Sequence, residues 1–168
     1  RKAREFIKAI ISIAKYHGLR KAVKVLIFNV IWNTPFPSKE EIIVTRYGVK
    51  MSLIPGDRGI SRELKIFKVH EPLATKILVK ELKKLRKLRD VVLIDVGSNI
   101  GYYSILEARL LGRNGTVISI EPVQRNFRYL LKNIGINDIN NVKALNVALS
   151  DRIGLAKMVI SHGSNWGY

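Results

Sequence analysis

Apolar residues follow two different spacings along this chain. From Arg1 to Trp32 they recur at helical intervals: Phe6, Ile7, Ile10, Ile11 and Ala14, then, past Gly18, Leu19, Val23, Leu26, Ile27, Val30 and Ile31. Two helices are expected, closed by the two-proline stretch Asn33-Thr34-Pro35-Phe36-Pro37-Ser38. Glu41 to Ile54 carries strand-type residues about Tyr47-Gly48 and predicts a β-hairpin. Pro55 to Gly59 is a loop, and Ser61 to Val69 is ambiguous. Glu71-Pro72 opens a further helix, because proline suits the first helical position. Leu78, Leu82, Leu85 and Leu88 mark its buried side, and His70 reads as a helix-entry residue.

Beyond Asp90 the spacing changes to short β-branched runs separated by helical ones. Val91-Val92-Leu93-Ile94 reads as a buried parallel strand. A glycine turn follows, then a helix from Tyr102 to Leu111 that Gly112 stops. Thr116 to Ile120 is a second strand, ending at Glu121. Val123 to Ile134 predicts a helix with Phe127, Leu130, Leu131 and Ile134 on its core side and Gly135 as its stop. Val142 to Val147 is a third strand, and Gly154 to Ile160 reads as one more. The fold class is therefore α/β, with a parallel sheet preceded by helices and a hairpin. Three segments are expected: a basic helical extension over 1–38, a hairpin and lead-in helix over 39–90, and the sheet over 91–168.

Composition adds limits. The 168 residues suit one domain with a small appendage and contain no cysteine, so neither disulfides nor thiolate metal sites are expected. The net charge of +17 is uneven: residues 1–90 carry +14 and residues 91–168 carry +3. A basic half of this kind suits solvated lysine-rich faces, with nucleic acid or an anionic membrane as less favoured partners. Residues 1–33 are expected to pack on protein rather than lie on a membrane surface. No secretory signal and no run of roughly 18 apolar residues is visible, so a cytoplasmic protein, at most peripheral to a membrane, is expected. The oligomeric state is not readable.

The candidate chemistry sits in Val91 to Ser104. Asp95, then Gly97-Ser98-Asn99-Ile100-Gly101, then a helix start is how an open α/β sheet builds a ligand crevice. Glycines admit close backbone approach, and free N–H groups at the helix start face the ligand. Glu121, at the tip of the neighbouring strand, suits a ribose diol. The turn has only two glycines, Gly97 and Gly101, with three residues between them, so the dinucleotide pattern G-x-G-x-x-G is not met. The pattern D-x-G-x-x-x-G with a later acid is similar to the cofactor site of class I S-adenosylmethionine-dependent methyltransferases. Asn146, Ala148 and Ser150 follow the third strand at the same end and are candidates to contact an adenine.

Over residues 42–168 the chain resembles the FkbM family of methyltransferases. The resemblance rests on VLIDVGSNIGYYS, ISIEP, NFRYLLKNIGINDINNVKALNVALSD and SNWG, with DRGIS and HEPLATKIL upstream. It implies a Rossmann-like sheet of which only the N-terminal half lies in this sequence, since the family's later strands and their acidic D-x-E-G segment do not occur. It implies S-adenosyl-L-methionine as cofactor. Asp95, Gly97, Ser98, Asn99, Gly101 and Tyr102 would line its methionine and ribose part, and Glu121 would bind the ribose hydroxyls with Pro122 beside it. It also implies O-methylation of a sugar, glycan or other small-molecule hydroxyl; the alternatives are an RNA methyltransferase using the basic N-terminal half and a non-catalytic membrane-peripheral or interaction domain. The catalytic base is not assigned; His162 is the one candidate, and Trp166 and Tyr168 are candidates to stack on a sugar or to cover the core edge. Glu121→Ala is expected to weaken cofactor binding without unfolding the domain.

Overall fold

The computed structural model describes residues 2–20, 22, 23, 26, 39–155 and 157. Two compact units, Arg1–Pro35 and Phe36–Tyr168, make up the chain. In the first, helix α1 (Lys2–His17) follows the predicted spacing and ends at Gly18, whose φ of +86° is left-handed. Leu19, Arg20, Ala22, Val23 and Leu26 are helical, as expected for a second helix, and the two-proline turn lies outside the described residues. No helix among the described residues is long and apolar enough to cross a membrane.

The second unit begins with the expected hairpin. Strands β1 (Glu41–Val44) and β2 (Lys50–Leu53) pair antiparallel, with Ile43 opposite Met51. Thr45 closes the turn: its Oγ1 accepts from Val49 N–H at 3.1 Å. Ile43, Val49, Met51, Leu53 and Ile54 are buried together. The ambiguous stretch is helix α2 (Ile60–Phe67). A local polar cap fixes its start: the Asp57 carboxylate accepts from Gly59 N–H at 2.8 Å and Ser61 N–H at 2.9 Å. Helix α3 (Pro72–Leu85) buries Leu82 and packs Leu78 and Leu85 against the second core cluster. Leu88, expected on that side, is exposed, because the helix has ended three residues earlier.

The sheet comprises β3 (Val91–Val96), β4 (Gly115–Ile120) and β5 (Val142–Leu145), all parallel, in that spatial order. Helix α4 (Tyr102–Leu111) joins β3 to β4, and α5 (Gln124–Ile136) joins β4 to β5. Parallel neighbours require such crossovers. Ile105, Leu106, Ala108 and Leu111 of α4 are buried, and Ala108 and Leu111 pack with Val117 of β4 and Leu82 of α3. On the other face Val92, Ile94 and Val96 remain 59–63% exposed, and no described element covers them.

Three boundaries differ from expectation. Helix α5 runs through Gly135 to Ile136, since glycine weakens a helix without stopping it unless the chain turns left-handed there. Strand β5 ends at Leu145, whose carbonyl accepts the last rung, from Glu121 N–H at 3.1 Å. Gly154, Leu155 and Lys157 are not in a strand; the rest of that expected strand lies outside the described residues.

The inner face of α5 is also more polar than its leucines suggest. Leu131 is exposed, whereas Asn126, Leu130 and Asn133 are buried at helical spacing. Asn133 explains the exchange. Its Oδ1 accepts from Ser52 N–H at 2.6 Å, and its Nδ2 donates to Ser52 O at 3.2 Å and to Ile100 O at 2.8 Å. One amide thus joins the hairpin, the glycine turn and α5. A buried group left without its partner costs on the order of 1–3 kcal/mol. Asn133→Leu should therefore lower stability by about 3 kcal/mol in urea denaturation; a loss below about 1 kcal/mol would show that the amide is not holding these segments.

Candidate cofactor crevice

The crevice lies where β3 and β4 end. Past Val96 the N–H groups of Gly97 and Ser98 both donate to Ile120 O, at 2.8 and 3.0 Å, so the turn starts anchored to the neighbouring strand tip. Gly97, Asn99 and Gly101 are all left-handed, with φ of +77°, +50° and +87°. The two glycines answer different needs. A Cβ on Gly97 would meet nothing within 4 Å, so the backbone conformation alone requires glycine there. A Cβ on Gly101 would lie 2.5 Å from Leu130 Cδ1, so glycine there also lets the start of α4 pack on α5. Asn99 takes its left-handed conformation as asparagine most readily does.

Glu121 is 4% exposed. Its Oε2 accepts from Asn99 N–H at 2.8 Å and its Oε1 from Val123 N–H at 2.9 Å. The carboxylate therefore ties the glycine turn to the start of α5. Asn126 Nδ2 also donates to Oε1, at 3.5 Å, so the remaining acceptor capacity lies on Oε2. Glu121→Ala would leave both N–H groups without this acceptor and so carry a stability cost.

Asp95 lies beneath the turn, where its carboxylate accepts from Ser104 Oγ on α4; Ser98 Oγ donates to the Asp95 backbone carbonyl at 2.8 Å. Buried close by is Glu107, whose Oε2 has no hydrogen-bond partner. Burial, with the Asp95 charge adding to it, pushes the Glu107 carboxyl up to about 8. Tyr102 has its ring in the core, 1% exposed, and burial raises its hydroxyl pKa. What it offers a ligand is the backbone at the start of α4. Asn146 Nδ2 donates to Glu121 O at 2.7 Å and to Pro122 O at 3.1 Å. An open groove beside these residues is lined by Pro122, Asn146, Ala148 and Ser150 among others. The predicted residues thus fall into a turn (Gly97, Ser98, Asn99, Gly101), two acids (Asp95, Glu121) and a groove (Pro122, Asn146, Ala148, Ser150). His162, Trp166 and Tyr168 lie outside the described residues.

A second polar cluster at this end was not indicated by sequence. Helices α3 and α4 run parallel: Tyr103 Oη donates to Glu71 Oε2 at 2.9 Å at their starts, and Asn114 Nδ2 donates to Arg86 O at 2.8 Å near their ends. Both helix starts therefore lie at the carboxyl end of β3. There His70 Nδ1 bonds Glu63 Oε2, and the His70 ring packs on Tyr102 and Tyr103 with centroids 5.9 and 5.6 Å away. Glu63 lies in the ambiguous stretch, so no spacing signalled the pair.

No protein-family profile matches the chain, and no curated protein matches it in sequence. Among solved structures the chain is similar to TYW2 from M. jannaschii in complex with AdoMet, at 22% identity and a TM-score of 0.45, over 65% of this chain and 43% of that one. It is similar to TYW2 from P. horikoshii in complex with MeSAdo, at 22% identity and 0.43, over 70% and 39%. Trm5b from Pyrococcus abyssi matches at 22% identity and 0.40, over 62% and 27%. The chain thus spans less than half the length of each of these three.

Glu107 makes stability depend on pH. Its carboxyl is raised in the folded state, so the stabilising difference is complete below the unfolded value near 4.5 and fades as pH rises through about 8. Glu107→Gln should match the parent near pH 5 and exceed it in melting temperature at pH 9. A constant difference across that range would show that Glu107 is not buried as an uncharged acid.

Proposed function

We propose that this chain is the cofactor-binding part of an S-adenosylmethionine-dependent methyltransferase of the FkbM kind, acting on a hydroxyl of a sugar, glycan or other small molecule. The observation that carries the reading is the Glu121 carboxylate, buried at a strand tip and bonded to Asn99 N–H in a left-handed turn. Three features support it. The first N–H groups of α4 have no intrahelical partner and suit the carboxylate of an amino-acid tail. The remaining acceptor site on Glu121 Oε2 suits a ribose hydroxyl. The groove at Pro122, Asn146 and Ala148 suits the flat adenine. Bound there, the cofactor supplies a methyl group already activated on a sulfonium. The protein's part is to hold an acceptor oxygen in line, at about 3–3.5 Å.

A thermal shift tests the reading. S-adenosylmethionine or S-adenosylhomocysteine at about 100 times its dissociation constant should add roughly 2.7 kcal/mol of stability. Glu121→Gln, which replaces an acceptor by a donor, should shrink that gain and cost on the order of 1–3 kcal/mol by itself. Stabilisation by NAD and by neither adenosyl compound would overturn the assignment.

A further inference from the structure

We propose that His70, oriented by Glu63, is the proton acceptor of the transfer reaction, and that Glu71 and Tyr103 form the mouth through which the acceptor hydroxyl reaches it. The inference rests on the methyltransferase reading above.

The cluster is built from three elements. Glu63, on α2, uses both carboxylate oxygens: Oε2 bonds His70 Nδ1, and Oε1 accepts from Glu71 N–H at 3.0 Å. A carboxylate only accepts, so Nδ1 carries the hydrogen and Nε2 presents a lone pair. Nε2 makes no hydrogen bond among the described residues; the atom facing it is Glu71 Oε2, at 4.0 Å. Glu71 is 58% exposed, against 21% for His70, so the lone pair looks along a carboxylate towards solvent. Tyr103 Oη holds Glu71 Oε2 from the first turn of α4, two residues beyond Gly101. Thr75 Oγ1 donates to His70 O and fixes the backbone beneath the ring.

This arrangement is held against a local backbone cost. Lys68 and Glu71, on either side of the histidine, are left-handed with φ of +58° and +40°. Neither is a residue that adopts this region readily, and such outliers persist where surrounding contacts over-determine them. Helix entry alone does not require a histidine bonded to a buried-side carboxylate. The groups facing His70 are Glu63 from α2, Glu71 from the start of α3, and Tyr102 and Tyr103 from α4.

In the transfer, the acceptor oxygen forms its bond to the methyl carbon as the carbon–sulfur bond breaks and its electron pair stays on sulfur. The acceptor proton passes to His70 Nε2, the imidazolium is neutralised by Glu63, and the proton then leaves to water past Glu71.

Nitrogen-15 NMR on the whole chain tests this without turnover, with His70→Gln to assign the ring among the three histidines. At pH 8 the His70 ring should show a protonated Nδ1 and a bare Nε2, and Glu63→Gln should mix the tautomers. Adding S-adenosylhomocysteine should shift the His70 ring together with the Gly97 to Gly101 amides. A parent ring protonated on Nε2 would overturn the inference, because that nitrogen could then accept nothing. Amides that shift while the ring does not would overturn it too and leave the cofactor assignment standing. Neither set shifting would sink the cofactor assignment itself, and the inference with it.

Discussion

Two backbone N–H groups on different segments, those of Asn99 and Val123, converge on the buried carboxylate of Glu121, and the crevice depends on that convergence. A glycine turn with three left-handed residues is conformationally costly to order. Anchoring it at Ile120 O and again at Glu121 fixes its position against the neighbouring strand tip. The parallel register places Val96 beside Ile120, so turn and acid emerge side by side. Without the acid, the turn would keep its glycines and lose its anchor.

Much of this was legible in the sequence. The run Val91 to Leu111 gave strand, turn and helix with the helix ends correct, because β-branched residues, Gly101 and Gly112 each act locally. The acid at 121 stood out in the sequence as a candidate ligand group, and its structural bonds did not, since the N–H of Asn99 comes from 22 residues away. Helix α2 was ambiguous because it is only eight residues long, and the Asp57 carboxylate that accepts from the N–H groups at its start lies before it. The buried face of α5 was misread at Leu131 for a related reason. A leucine is placed inside by default, yet here Asn133 is inside because three backbone atoms require it. Long-range polar partners leave no periodic trace.

The space beneath the crevice is itself partly polar. Asp95, Ser104, Glu107 and Ser119 sit between sheet and α4, and Ser119, paired with Asp95 across the ladder, is fully buried. An acid kept uncharged by its surroundings is tolerated because neutralising it costs less than burying the charge. The Asp95 carboxylate, in turn, is held to α4 by Ser104, so strand and helix are joined by polar as well as apolar contacts.

The hairpin has a consequence beyond its own core. Because the Asn133 amide bonds Ser52 on one side and Ile100 on the other, β2 and the bend above β3 share a single polar anchor on α5, and separating either from the helix would strip that buried amide of a partner.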